Sequence, residues 1–471
     1  MKKRCLVMLL CAVLILGLTA CGTKEDVDDV RIQSANELLA QKYNATDIFL
    51  SDDKIMVDGK EISNNPNAAV YKANDIVFYL EGQDFTYGEG KAADEHSQKE
   101  ADEHIVVHIA EPGNYVLSGK LSAGQIAVDM GDGAKKDSEA VVTLILNGID
   151  ITCSVAPGVI FYNVYECGDN DEEDAIKDVD TTKAGANVLI ADDSVNYVNG
   201  SYVARIYESV ELSEDGKEIL DSKKLHKYDA AFYSRRSMNI AGEEKGNGVL
   251  NIQAENEGLD SELHLTINGG NINIDSGNDG INTNEDGVSV TTVNGGVLTI
   301  TVNGSTGEGD GIDSNGWLVI NDGVVITSAC GFSMDAGIDS DKGIHINGGT
   351  VIAGGNMLDE IADSEQTYAV FMAADTIKGG TEISLKNEAG DIVAGTTIAN
   401  DCTYLAISSA DLQPGSYTLW NDGKKLKLSE ISGEMPPDFS GFDFGNGSMS
   451  ETESSEEFVI KEGANMFLIT K

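Results

Sequence analysis

Four consecutive stretches of this chain repeat one pattern: LDSELHLTINGGNINI at 259–274, GINTNEDGVSVTTVNGGVLTI at 280–300, GIDSNGWLVINDGVVI at 311–326 and GIDSDKGIHINGGTVI at 337–352. The turn of each copy begins at an asparagine, namely Asn268, Asn294, Asn321 and Asn347, so the period is 26 to 27 residues. Such a period is typical of one coil of a solenoid, in which each repeat packs on its neighbours. The repeat therefore predicts that functional residues lie on a stacked surface.

Strand signals continue upstream of the repeat. Apolar runs of strand length, separated by Gly, Asn, Asp and Pro, reach back to about residue 104. The 52 glycines would penalise helix interiors. We predict an all-β fold with a parallel β-helix over 104–355 and a small, antiparallel, β-rich cap over 356–433. The predicted inward stacks are Leu259, Ile281, Ile312 and Ile338, and Ile274, Ile300, Ile326 and Ile352.

Both ends of the chain carry their own signals. Three cations at positions 2–4, an apolar run and Leu-Thr-Ala-Cys at 18–21 predict a lipoprotein signal peptide over 1–20, with lipid attached to Cys21. We predict a charged tether over 21–44 and an N-terminal segment over 45–103 with a polar surface loop at 89–103. Residues 434–471 are predicted as a low-complexity tail that returns in one final strand. The expected location is the outer face of the cell membrane, with the membrane as a partner through Cys21.

The chain is strongly acidic. It has 79 Asp and Glu residues against 32 Lys and Arg, for a net charge of -47. This excludes nucleic acid as a partner, because phosphate binding needs clustered cations. Carboxylates at this density are solvated or are neutralised by cations. Cysteines 153, 167, 330 and 402 show no zinc spacing and are predicted as small buried residues, with a Cys153–Cys167 disulfide as the alternative.

Polar residues surround the inward aliphatic residue of each repeat, and equivalent positions stack roughly 4.8 Å apart. At that distance two carboxylates repel by roughly 3 to 4 kcal/mol at an effective dielectric constant of about 20. Oxygen ligands in irregular geometry suit Ca²⁺. The predicted calcium ligands are Asp260, Asp279, Asn282, Asp310, Asp313, Asp335 and Asp339. The alternative is that Asp and Asn occur here because tight turns prefer them.

A few further residues are candidates for contact with a ligand. Arg235 and Arg236 are conspicuous cations in an acidic chain, and Tyr233 and Trp317 are aromatic residues within the array. An arginine near acidic residues can serve proton abstraction, or it can pair with neighbouring carboxylates. We assign these four residues to ligand binding and assign no catalytic residue. The four turn asparagines are interpreted as a structural ladder of side-chain amides.

The segments GNYVLSGKLSAGQIAVD, VVTLILNGIDIT and AAFYS…MNI, the DGI[ND][ST] and NGG repeats, and GGTVIAGG resemble a family of bacterial extracellular carbohydrate-binding proteins. The resemblance covers roughly 104–430. It implies a right-handed, single-stranded parallel β-helix of the polysaccharide-lyase type, bound calcium, and non-catalytic binding of cellulose-like or acidic pectin-like polysaccharides. The sequence departs from the family at Arg235 and Arg236, where similar sequences often carry acidic residues.

Three functions follow as hypotheses. The first is a lipid-anchored, calcium-stabilised protein that binds polysaccharide at the cell surface. The second is a calcium-dependent polysaccharide lyase that uses Arg235 or Arg236. The third is a structural or adhesive surface protein that has no affinity for sugars.

Overall fold

The computed structural model describes residues 35–168, 171–362, 364–432, 450–451 and 453–470, and strands dominate them. The first eleven strands are β1 (Thr46–Leu50), β2 (Met56–Val57), β3 (Lys60–Glu61), β4 (Val70–Ala73), β5 (Ile105–Ile109), β6 (Gly113–Leu121), β7 (Gly124–Asp129), β8 (Val142–Cys153), β9 (Val159–Asn163), β10 (Ala186–Ile190) and β11 (Val195–Gly200). Two 3₁₀ turns lie at Ala134–Lys136 and Glu172–Asp174. The predicted signal peptide and Cys21 lie outside the described residues.

Most coils of the array contain three strands. They are β14 (Ala230–Ser234), β15 (Met238–Gly242) and β16 (Val249–Ala254); β17 (Glu257–Ser261), β18 (His264–Ile267) and β19 (Asn271–Ser276); β20 (Ile281–Thr283), β21 (Val290–Val293) and β22 (Val297–Val302); β23 (Ile312–Ser314), β24 (Trp317–Ile320) and β25 (Val324–Ser328); and β26 (Ile344–Ile346) with β27 (Thr350–Gly355). Each strand pairs in parallel with its counterpart one coil away. The fold is therefore all-β and β-helix-like, as the repeat predicts.

The coils form three parallel faces. Sheet 1 contains β5, β7, β9, β14, β17, β20 and β23, with β4 added antiparallel at its edge. Sheet 2 runs through β10, β15, β18, β21, β24 and β26, and sheet 3 through β11, β16, β19, β22, β25 and β27. The long strand β8 joins the last two, because its first half pairs with β10 and its second half with β11. The core lies between the three sheets.

The first predicted inward stack is confirmed, but the second is wrong after Ile300. Leu259, Ile281 and Ile312 pair in register, and Ile338 is also buried in the same core. Ile274 pairs with Ile300, but Ile300 pairs with Thr327. Ile326 lies on the outer side of sheet 3, and Ile352 packs into the core of the C-terminal cap. The isoleucine follows its turn asparagine by six residues in two coils and by five in the next two, and a one-residue offset reverses the face of a strand.

The turn asparagines form the predicted ladder. The side-chain amide of Asn294 donates to Asn268, that of Asn321 to Asn294 and that of Asn347 to Asn321, each at 2.9 Å. The last glycine of each turn has a positive φ, between 77° and 94°. A Cβ atom at Gly296 would lie 2.5 Å from the carbonyl oxygen of Gly270, so glycine is needed there for both conformation and space.

The predicted tether is partly a helix. Residues 35–43 form α1, which packs through Leu39, Ala40 and Tyr43 on the outer side of sheet 2. Asn36 is fully buried and donates to Asp47 and Ser118. Strand β1 pairs in parallel with β6, so the stack also begins before residue 104. The sequence prediction missed the helix because a helix of nine residues adds little to the hydrophobic pattern.

The predicted polar loop and a second insertion, at 203–228, have regular structure. The polar loop at 89–103 contains α2 (Gln98–Asp102), which begins with a capping box formed by Ser97 and Glu100. Residues 203–228 form an antiparallel hairpin from β12 (Val203–Leu212) and β13 (Ile219–Tyr228). Val203, Ile206 and Tyr228 pack over the outer side of sheet 1. The hairpin therefore forms one wall beside the outer surface of sheet 1.

The C-terminal cap continues beyond the predicted boundary at 433. Its strands are β28 (Tyr368–Ile377), β29 (Glu382–Asn387), β30 (Ile392–Thr397), β31 (Cys402–Ser409), β32 (Gly415–Asn421), β33 (Lys424–Lys425), β34 (Lys427–Ser432), β35 (Ser450–Glu451), β36 (Phe458–Ile460) and β37 (Ala464–Thr470). Strand β31 pairs antiparallel with β27 and covers the open edge of the stack. The predicted final strand exists as β37, but it is a central part of the cap, between β28 and β34.

Two negative findings apply to the described residues alone. Cysteines 153, 167, 330 and 402 are free thiols there, so the alternative Cys153–Cys167 disulfide is absent. In the same ranges, no helix has both the length and the apolar character needed to cross a bilayer.

The corrected register gives a stability prediction. Ile300 is buried and faces the core, so Ile300→Ala should lower the free energy of unfolding by roughly 2 to 5 kcal/mol. Ile326 is half-buried on the outer side, so Ile326→Ala should cost less than about 1 kcal/mol. Denaturant unfolding of both variants measures the difference. Equal losses would contradict the register between β22 and β25.

Candidate functional site

The outer surface of sheet 1 carries most of the predicted polar residues. Because side chains alternate along a strand, the neighbours of the inward Leu259, Ile281 and Ile312 point outward. The outward column runs through Tyr233, Asp260, Asn282 and Asp313, which pair in successive coils. Asp260 and Asn282 are nevertheless buried, so these polar groups sit in a desolvated environment beside the hairpin.

Three carboxylates meet at the start of this surface, and we call Asp229, Glu257 and Asp260 the acidic cluster. One oxygen of each lies within 4.8 Å of the others, and all three residues are buried. Lys227 from the hairpin is 2.5 Å from an oxygen of Asp229. With every carboxylate ionised, three negative charges face one ammonium group, and the cluster has a net charge of -2.

The cluster contains polar atoms with no partner. Asn284 donates to both oxygens of Asp260, at 2.9 and 3.0 Å. Glu257 Oε2 and Asn282 Oδ1 are buried without a hydrogen-bond partner. A buried polar atom left unsatisfied costs about 1 to 3 kcal/mol. The arrangement therefore leaves two free acceptor oxygens, one on a carboxylate of the cluster and one on the neighbouring Asn282.

Burial raises the pKa of each acid in the cluster. The pKa values of Glu257 and Asp260 lie well above those of ordinary carboxyl groups, because of burial and then the neighbouring negative charges. Burial also raises the pKa of Asp229, although Lys227 opposes that shift. Without a cation, the cluster thus favours bound protons.

Three of the other predicted calcium ligands, Asp279, Asp310 and Asp335, accept hydrogen bonds from backbone amides of adjacent coils. Asp279 Oδ1 accepts from the amide of Asp310 at 2.7 Å, and Asp310 Oδ1 accepts from that of Ala336 at 2.5 Å. Asp335 accepts from the amide of Gly309 at 2.7 Å. These carboxylates join adjacent coils through the backbone, which is a structural role of the kind the turn alternative describes.

Asp313 and Asp339 extend the polar surface towards the C-terminal coils. Burial, followed by neighbouring carboxylates, raises the pKa of each to about 7. The pKa of Asp279 is also raised to about 7, by burial and by Asp335 among others. Among the described residues, only Asp229, Glu257 and Asp260 bring three ligand atoms this close together.

A groove follows the base of the hairpin, and we call it the hairpin groove. Its inner part is a cavity of about 140 Å³ that includes five cations and three glutamates: Lys135, Lys224, Lys227, Arg235, Arg236, Glu166, Glu262 and Glu285. Its outer part, of about 420 Å³, shares Lys224, Lys227, Glu262 and Glu285 and adds Arg205, Asn284, Asp286 and Asn315. Cations thus outnumber carboxylates in the inner part, although the chain as a whole is strongly acidic.

Arg235 and Arg236 lie at the corner between β14 and β15, and both line the inner groove. Neither guanidinium group forms an ion pair within 4 Å among the described residues, whereas Lys224 is 3.3 Å from Glu262. Arg236 Nε is buried without a partner. Burial lowers the pKa of Arg236, and the charge of Arg235 lowers it further. Two adjacent, unpaired guanidinium groups provide a favourable site for an anion.

The two predicted aromatic contacts do not fit the groove as sugar-stacking surfaces. Tyr233 lines it, but the side chain is buried and its hydroxyl donates to Glu262. Trp317 is outside the groove at the start of β24, where the Lys342 ammonium lies 5.1 Å from the ring centre. Tyr233 cannot stack on a sugar because it is buried in the core around the hairpin. Trp317 is away from the groove because β24 belongs to sheet 2.

The sequence prediction missed several residues of the site. Glu257 and Asp229 belong to the acidic cluster. Glu257 lies on β17 in the same coil as Asp260, just before the first copy of the repeat, whereas Asp229 comes just before β14, so extending the repeat one coil upstream would have reached it. The sequence repeat could not predict that Lys224 and Lys227 belong to the site, because they lie in the hairpin, which is not part of the repeat.

Comparisons with known proteins show which proteins the chain is similar to. A family model described as "Carbohydrate-binding domain-containing protein" matches residues 103–419. A protein of that description from Acetivibrio thermocellus is 31% identical over 169 residues, which are 36% of this chain and 44% of the relative. The match thus spans less than half of the relative. A solved polysaccharide lyase-like protein from C. thermocellum, a gadolinium derivative, aligns with 68% of this chain and 94% of its own, at 20% identity and a TM-score of 0.37.

The raised pKa values predict how stability depends on pH in the presence of a chelator. The folded protein holds protons on Asp279, Asp313 and Asp339 that the unfolded chain releases at lower pH. Stability should therefore be highest below the ordinary aspartate pKa of 3.8 for these groups, and should fall as pH rises to about 7 and beyond. Calorimetry at about pH 5 and pH 8 measures the difference in Tm.

The matched variant is the double substitution Asp313→Asn and Asp339→Asn. Since asparagine carries no titratable proton, this protein should lose less stability between the two pH values than the unchanged protein. The same loss in both proteins would contradict the assignment of the effect to this surface.

Proposed function

The chain belongs to the family of carbohydrate-binding domain-containing proteins, and we propose that it binds uronate-bearing, pectin-like polysaccharides non-catalytically through the hairpin groove. The observation that carries this proposal is the pair of unpaired guanidinium groups of Arg235 and Arg236 in a groove rich in lysine. A uronate carboxylate matches the planar guanidinium group through paired hydrogen bonds. Neutral, cellulose-like polymers would gain no such contact.

The groove is also suited to a polymer rather than to a small molecule. Its inner and outer parts share four residues, so it forms one path along the hairpin. The outer part adds the amides of Asn284 and Asn315, which can hydrogen-bond to sugar hydroxyl groups. The glutamates of the groove would repel carboxylates of the ligand. The ligand carboxylates would therefore lie near the cations, and the sugar hydroxyl groups would lie near Glu262 and Glu285.

We further propose that the acidic cluster binds Ca²⁺. Calcium–oxygen distances of about 2.3 to 2.6 Å allow two ligand atoms on one ion to lie about 4.8 Å apart, which agrees with the spacing in the cluster. A divalent cation would neutralise the net charge of -2 that remains beside Lys227. Glu257 Oε2 and Asn282 Oδ1 could both bind the ion without breaking a hydrogen bond, so Asn282 adds a fourth ligand residue to the three carboxylates. The bound ion would stabilise this part of the coil stack.

The remaining features of the proposal rest on the sequence and on general rules. We propose a right-handed coil, because crossovers between parallel strands are right-handed in about 98% of cases. The signal at 1–20 supports attachment of lipid to Cys21 and a location at the outer face of the membrane. The binding domain would then hold polysaccharide close to the cell.

The first test is retention of the mature protein on insoluble pectate and on cellulose. We expect retention on pectate, weakened about tenfold by the double substitution Arg235→Ala and Arg236→Ala. The control is Lys120→Ala with Lys245→Ala, which removes the same charge from residues paired with Asp150 and Asp193 outside the groove. An equal loss of retention on pectate in both variants would show that only the net charge of the protein matters. That result would contradict the assignment of binding to the groove.

Ultraviolet absorbance of the same mixtures separates the other functions. Release of unsaturated sugar products would contradict non-catalytic binding and would support the lyase function. Folded protein that is retained on neither polymer, with or without calcium, would leave only the structural or adhesive function.

The calcium proposal predicts that calcium raises the Tm. At a free calcium concentration of about 100 times the Kd, bound ion should stabilise the protein by roughly 2.7 kcal/mol. Asp260→Asn should remove most of this effect, whereas Asp322→Asn, in an exposed turn, should retain it. Calorimetric titration of both variants with calcium gives the binding directly. Unchanged binding by Asp260→Asn would place the ion elsewhere.

A further inference from the structure

The cap carries a second cationic surface, far along the chain from the groove. Strands β30, β29, β32 and β33 form one antiparallel sheet, with β36 paired to β32. Its inner side buries Ile383, Leu385 and Leu419 in the core of the cap. The alternating residues therefore face outward. Those that solvent reaches are Lys386, Thr418, Trp420 and Lys425, which we call the cap platform.

Trp420 is the centre of the cap platform. Its indole nitrogen donates to the hydroxyl of Thr418 at 2.9 Å, which fixes the ring on the sheet. The ammonium nitrogen of Lys386, from β29, lies 4.4 Å from the ring centre, and that of Lys425, from β33, lies 5.6 Å from it. Two lysines from opposite neighbouring strands thus converge on one half-buried aromatic ring.

These lysines have no carboxylate partner. Two other lysines of the cap are ion-paired, Lys378 with Asp401 and Lys461 with Glu430. Lys386, Lys424 and Lys425 form no ion pair within 4 Å with any described residue, although acidic residues outnumber basic ones more than twofold in the chain. Such a surface attracts anions, and the aromatic ring orders the lysine side chains before any ligand arrives.

We propose that the cap platform is a second glycan-binding site, which takes a sugar unit that carries a carboxylate. The carboxylate would accept hydrogen bonds from Lys386 and Lys425, since each ammonium group has three N–H donors and contact with the ring leaves some of them free. The apolar side of the sugar ring would pack on the exposed part of Trp420, and Thr418 would lie beside its hydroxyl groups. The choice of a uronate rests on the proposed function, whereas the anionic character of the ligand rests on the cap alone.

Two sites on one chain have a consequence for long polymers. When one segment of a polysaccharide occupies the hairpin groove, the cap platform meets another segment of the same molecule at a raised effective concentration. Long polymers should therefore bind more tightly than short fragments if they can reach both sites, although each contact is weak.

Tryptophan fluorescence tests the cap platform separately from the groove. The chain has two tryptophans, so Trp317→Phe leaves Trp420 as the single reporter. Titration of this full-length mature protein with short oligogalacturonates should change the fluorescence in a saturable way, and neutral cello-oligosaccharides should have a much smaller effect. In the same background, Lys386→Ala with Lys425→Ala should weaken the apparent affinity about three- to tenfold. Lys378→Ala with Lys461→Ala removes the same charge from the paired lysines and should leave the affinity unchanged.

The outcomes distinguish the two proposals. Oligogalacturonate that binds by calorimetry without altering Trp420 fluorescence would overturn the cap platform and leave the groove. A fluorescence response that persists in Arg235→Ala with Arg236→Ala would support the platform as an independent site. Equal weakening by the two lysine double variants, or an equal response to neutral sugars, would overturn it.

Discussion

Parallel pairing from coil to coil is the constraint on which the rest of this structure depends. Since each strand pairs with its counterpart about one period away, every repeated residue becomes a neighbour of its own copies. Aliphatic residues then form the core, asparagines form the ladder at the turns, and carboxylates are brought close together on the outer side of sheet 1. The same rule that stabilises the core thus concentrates charge at the candidate site. Cations, protons or backbone amides must offset that charge. Lys227 offsets part of it at Asp229, backbone amides do so at Asp279 and Asp310, and raised pKa values favour protons on Asp313 and Asp339.

The sequence predicted the features that follow from periodicity and missed those that depend on register or on insertions. The repeat alone was sufficient for the coils, the inward stack at Leu259, Ile281 and Ile312, and the asparagine ladder. It failed at Ile326, because matching residue types does not fix a register that shifts by one residue. Helix α1 and the position of β37 within the cap were also missed, since their partners are distant in sequence.

The candidate site was predicted in part for similar reasons. Asp260 and Asn282 occupy neighbouring positions in the outward column, as the stacking of repeats required. The conformation of the local turn decides whether an aspartate faces a cavity or accepts a hydrogen bond from the backbone of the next coil. The repeat does not predict that conformation. Asp279 and Asp310 accept from backbone amides. The lysines of the groove come from a hairpin outside the repeat, so only the folded chain places them beside Arg235 and Arg236.

The place of β37 in the cap also has a consequence for how the protein is made. Strand β28 lacks one of its neighbours until residues 464–470 are available, and Phe467 packs on Phe371 and Phe458 in the core of the cap. During synthesis the coils emerge first, whereas this strand follows all of them. The growing chain therefore passes through a stage in which its coils can stack while the far edge is still unprotected. Exposed edges pair readily with other chains, so this stage is the one at which a protein of this design most needs a chaperone.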